Sequence, residues 1–143
     1  MKTKSIFISL ILLTGMAFTQ QAVAQQKEKK TEQGWFTSEY WSPVYCDGVM
    51  IDLLEGGELR VHYVVHYKEG VKYFEIDQLK GYVTSGITGE TFKVREVDKY
   101  YFTDHWYVTW NYNLIGDMGS HYVGTLTYSY WTGEITVDRT GCN

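Results

Sequence analysis

Residues 105–131 read HWYVTWNYNLIGDMGSHYVGTLTYSYW, and this stretch decides the fold. Two runs rich in tyrosine, tryptophan, valine and threonine flank Gly116-Asp117-Met118-Gly119. Aromatic and β-branched residues on both sides of a glycine-bearing turn predict one long β-hairpin. It holds Trp106, Trp110 and Trp131, three of the chain's five tryptophans. On the first arm Trp106, Val108, Trp110, Tyr112 and Leu114 share a face, and on the second Tyr122, Gly124, Leu126, Tyr128 and Tyr130 do. The loop length sets whether the two rows meet. A four-residue turn sends them to opposite faces, and a three- or five-residue loop brings them together. Both outcomes are open in the sequence.

Outward from the hairpin, the same chemistry recurs. Glu58 to Lys68 (ELRVHYVVHYK) alternates, with Leu59, Val61, Tyr63, Val65 and Tyr67 on one face and Arg60, His62, Val64, His66 and Lys68 on the other. Glu69-Gly70 is a two-residue turn that pairs Lys68 with Val71. Continued regularly, that register puts Phe74 and Ile76 with the apolar face and Glu75 and Asp77 with His62 and His66. A slip of one residue would put both carboxylates on the apolar side. Glu90 to Phe102 is strand-like, with Phe92 and Val94 on one face, and Glu134 to Thr140 is a last short strand. Tyr40 to Cys46 carries the chain's single proline, Pro43, which predicts an edge, a bulge or a strand start. Val49 to Leu54 is a separate short run ended by Glu55-Gly56-Gly57. The sum is an all-β domain of about eight strands in a meander, a single small antiparallel β-barrel or sandwich.

The N-terminus reads differently. Lys2 and Lys4 precede the apolar run Ile6 to Phe18, and Ala22-Val23-Ala24 fits a small-x-small cleavage site. Residues 1–24 are therefore expected to be a secretory signal peptide, residues 25–33 a disordered polar leader, and residues 34–143 the all-β domain. Loss of Lys2 and Lys4 moves the formal charge from −4 to −6. That balance argues against nucleic acid as a partner and against an anionic membrane surface, and no membrane insertion is expected once the signal is removed. Export to a secreted or periplasmic location predicts a disulfide between the only cysteines, Cys46 and Cys142. It would tie the first strand region to the C-terminus and close the sheet, at about 4–5 kcal/mol by the chain-entropy relation.

This pattern resembles the calycin class, the lipocalin- and avidin-like secreted barrels. Gly34-Trp35 stands where lipocalins carry Gly-x-Trp but lacks the intervening residue, and Arg139 on the last strand stands where a basic residue covers that tryptophan. The resemblance is one of fold, implies a closed barrel, and carries no function.

Trp106, Trp110, Tyr112, Tyr122, Tyr128 and Tyr130 are the candidate binding residues, since these side chains offer apolar area and a polar edge to a carbohydrate or apolar small molecule. Plain core packing is the competing account of the same rings. His62, His66, Glu75 and Asp77 are a second candidate set, able to do acid–base chemistry if they share a face. His62 and His66 stand about 13 Å apart along a strand, too far to chelate one ion, so no metal is expected. No nucleophile elbow, phosphate loop, zinc spacing or calcium loop is present, and no cofactor is expected. The expected function is a secreted non-enzymatic binding module. The alternatives are a protein-interaction or inhibitor domain with a protein partner, and less favoured, an enzyme on the His62/Asp77 face.

Overall fold

Alternating apolar residues turn almost the whole chain beyond residue 30 into strands. The computed structural model describes residues 30–143. Seven antiparallel strands form one sheet in chain order: β1 Thr31–Cys46, β2 Val49–Lys68, β3 Val71–Thr84, β4 Thr91–Tyr101, β5 Tyr107–Gly116, β6 His121–Ser129 and β7 Ile135–Cys142. The expected signal peptide and residues 25–29 lie outside the described residues. Residues 31–33, expected in the disordered leader, belong to β1, where Thr31 pairs with His66.

Seven strands replace the expected eight because Gly56-Gly57 is a bulge and not a turn. Both glycines have positive φ (82° and 67°), a conformation open to glycine at little cost, and β2 runs through them. Pro43 sits in β1, which is an edge strand, so its missing N–H costs no ladder bond on the open side.

The two edges, β1 and β7, are not hydrogen-bonded to each other in the sheet order. The closed barrel expected from the pattern, and from the resemblance, is therefore not formed by a ladder, and among the described residues there is no second sheet to make a sandwich. The sheet coils instead, and side chains draw β1 over the concave face. The Tyr40 hydroxyl donates to Glu96 on β4, and the Tyr45 N–H donates to the Tyr112 hydroxyl on β5 (3.3 Å). Cys46 and Cys142 form the expected disulfide across 96 residues. Trp35 faces away from the concave side and carries the Arg60 guanidinium over its ring at 4.1 Å, so Arg60 and not Arg139 covers it.

The concave face has two halves. Near the turns that join β1 to β2, β3 to β4 and β5 to β6, it is apolar: Val44, Leu54, Leu59, Val83, Phe92, Val94, Leu114 and Leu126 are buried there. Glu90 fixes the β5–β6 loop of this end. Its Oε1 accepts the Met118 and Ser120 N–H groups, each at 3.0 Å, and it fills the space a Cβ on Gly116 would need.

Candidate functional site

Loop length settles which way the hairpin rows point. Ile115 pairs with His121 and Leu114 with Tyr122, leaving a five-residue loop closed by the Gly116 N–H to the Ser120 carbonyl (2.7 Å). Trp110 then opposes Leu126, and Tyr112 opposes Gly124. Both rows share the concave face.

The six candidate rings divide. Tyr112 is only 3 % exposed, and its ring lies over Gly124 so closely that a Cβ there would collide with it. Tyr122 packs on Phe92 with centroids 5.6 Å apart. These two belong to the core. The other four form a ladder. Trp110 stacks on Tyr128 (5.8 Å, 8°), Tyr128 meets Tyr130 edge-on (4.9 Å), and Tyr130 stacks on Trp106 (4.2 Å, 13°). Phe102 and Tyr100 extend it past Trp106, and Trp41 of β1 meets Trp110 at the other end (6.3 Å). Trp106 and Tyr130 remain 44 % and 41 % exposed.

Beside this ladder lies a row of carboxyls. Glu75 and Asp77 do not join His62 and His66. The His66–Phe74 pair follows the Tyr67–Lys72 pair with Tyr73 left over, so one extra residue in β3 shifts the register. Asp77 consequently opposes Tyr63 and points to the concave side, and His62 opposes Gln78 on the outer face. This is the one-residue slip that a regular hairpin would have avoided, and it dissolves the expected His62/Asp77 pairing. His62 instead lies against Trp35 (4.5 Å), and His66 against Phe74 (5.7 Å).

On the concave side Asp77 pairs directly with Asp98 of β4, and Glu96 points the same way two residues along. Asp77 is 8 % exposed and Asp98 5 %, and Oδ1 of each lacks a protein hydrogen-bond partner among the described residues. Burial, and then the Glu75 charge, push Asp77 from its ordinary 3.8 up to about 7. Burial and the neighbouring Glu96 raise Asp98 well above the carboxylate range. Glu96 is also raised by burial, against the stabilising hydrogen bond it accepts from Tyr40. Tyr100 is raised by burial and by Asp98. Lys72 neutralises Glu75 through an ion pair. With a value of about 7, Asp77 exchanges its proton near neutral pH and, when protonated, can donate a hydrogen bond as well as accept one. Among the described residues no group of three or more His, Cys, Asp or Glu is arranged to hold a metal ion.

Glu96, Asp98 and Tyr100 carried a signal in the sequence. The alternation that puts Phe92 and Val94 on one face continues through all three. Tyr40 and Trp41 carried none, because only the coiling of the sheet brings β1 to β4 and β5. No known protein family matches this chain, and no curated protein or solved structure is significantly similar to it.

Proposed function

We propose that the protein is a secreted or periplasmic binding module, not an enzyme, that takes a carbohydrate or an apolar ligand against its aromatic ladder. The observation that carries this is the stacked pair Trp106–Tyr130, held 4.2 Å apart and yet more than two-fifths exposed on both rings. Exposed aromatics normally cost solvation, and a rigid exposed stack offers a ligand apolar area at little entropic cost. The Cys46–Cys142 disulfide supports an oxidising location. Buried carboxyls beside the ladder, whose affinity for a proton is raised, suit hydroxyl groups of a ligand as donor or acceptor.

The test is tryptophan emission of the full chain titrated with neutral oligosaccharides and with a medium-chain fatty alcohol. At least one should shift the spectrum, and Trp106→Ala should weaken that binding about tenfold or more while leaving the fold intact. No spectral response to any of them, or unchanged affinity in Trp106→Ala, would overturn the proposal. Capture of a protein partner that depends on Trp106 would replace it with an interaction domain.

A further inference from the structure

The outer face of the same strands carries a feature that the ladder does not use. Arg60 of β2 pairs in register with Lys80 of β3, and Lys80 pairs with Arg95 of β4. Three cations thus stand side by side across three strands, a span of roughly 10 Å at the usual strand spacing. All three are exposed, and among the described residues none forms an ion pair. Like charges placed directly opposite on a sheet repel and destabilise it. The row is kept in a chain whose formal net charge is −4, so it does not follow from a general basic excess.

The row borders a shallow, open recess lined by Trp35, Phe36, Thr37, Glu58, Arg60 and Lys80. Its aromatic wall is Trp35, an exposed ring fixed between His62 and the Arg60 guanidinium. An indole that stays 56 % exposed although Arg60 lies over its ring, beside Lys80 and Arg95, which form no ion pair among the described residues, matches a ligand that is part apolar and part anion. Saccharides carrying sulfate or carboxylate groups have both: their apolar C–H groups pack on the part of the indole that Arg60 leaves open, and the anionic substituents take charge-assisted bonds from arginine and lysine. Glu58, the recess's acidic member, disfavours an uninterrupted polyanion and can accept a sugar hydroxyl.

We infer that this recess is a second binding site, separate from the ladder, for an acidic saccharide, with Trp35 as its platform and the Arg60–Lys80–Arg95 row as its anion contacts. It is independent of the proposal for Trp106, which lies on the hairpin's aromatic ladder.

The experiment is isothermal titration of the full chain with a sulfated oligosaccharide and with its desulfated counterpart. Binding of the sulfated form should weaken steeply as salt is raised. Lys80→Glu and Trp35→Ala should each reduce its affinity about tenfold or more, while Ile87→Ala, at an exposed residue outside both sites, leaves it unchanged. Lys80→Gln should melt at or above the wild-type temperature, because it relieves repulsion, and still bind more weakly. Equal weakening of the desulfated form by Lys80→Glu would overturn the assignment, as would wild-type affinity for the sulfated form in Lys80→Glu. A single-stranded oligonucleotide of matched charge that binds as tightly would overturn the saccharide assignment in favour of a phosphate chain.

Discussion

The two halves of the concave face are built from the same strands and meet opposite demands. One half is aliphatic and aromatic, with Phe92, Leu114 and Leu126 withdrawn from water. The other, four to eight residues beyond Phe92 along β4, places Glu96, Asp98 and Tyr100 in the same inward positions. A buried apolar residue contributes area and packing. A buried carboxyl contributes neither unless it is hydrogen-bonded, and it holds a proton to avoid carrying charge out of water. The first half therefore serves stability. The second is tolerated at a cost, which is where a functional surface is expected.

Substitutions can break this contrast. The largest effect belongs to the apolar half: Phe92→Ala should lower unfolding stability by about 3–5 kcal/mol in denaturant titration. A smaller loss would mean that this half is not the cohesive one. Next comes pH. The raised folded values of Asp77 and Asp98 mean that the native state binds more protons than the unfolded chain. Their contribution is thus most favourable below the ordinary aspartate range and is lost as pH rises through about 7, the folded value of Asp77. Melting temperature should fall over that window, and Asp77→Asn with Asp98→Asn should flatten the fall. Gly124→Ala, at the border between the halves, should cost about 1–3 kcal/mol by forcing the Tyr112 ring aside, with partial recovery in a Tyr112→Leu background. The smallest change lies outside both halves. Glu39 opposes Glu58, and Glu39→Lys should raise stability by a few tenths of a kcal/mol.

Much of this was legible before any coordinates. Alternation in Glu58 to Lys68 placed Leu59, Val61 and Val65 inside, and export chemistry paired Cys46 with Cys142. The hairpin of Trp106 to Trp131 was visible, and its parity was narrowed to loop length. What stayed hidden was the extra residue. A period of two predicts faces only while every residue is paired, and Tyr73 opposite no partner inverts the outcome for Glu75 and Asp77. Gly56-Gly57 looked like a turn for a similar reason, since the same positive φ serves a bulge. The ladder's exposed and buried members could not be separated either, because Tyr112 and Tyr130 differ in burial through the coiling of the sheet and not through their neighbours in sequence.

The meander has a consequence for how the chain reaches this state. Each of the six ladders joins strands that are adjacent in sequence. Every hairpin can form with a short loop to close, so little entropy is spent before its contacts are gained. The distant meetings are few: Tyr40 with Glu96, Trp41 with Trp110, Tyr45 with Tyr112, and Cys46 with Cys142. None of them is a ladder hydrogen bond. Zipping the sheet and coiling it are thus separable events, and a chain with reduced cysteines can hold every strand pairing while its two edges are free to part.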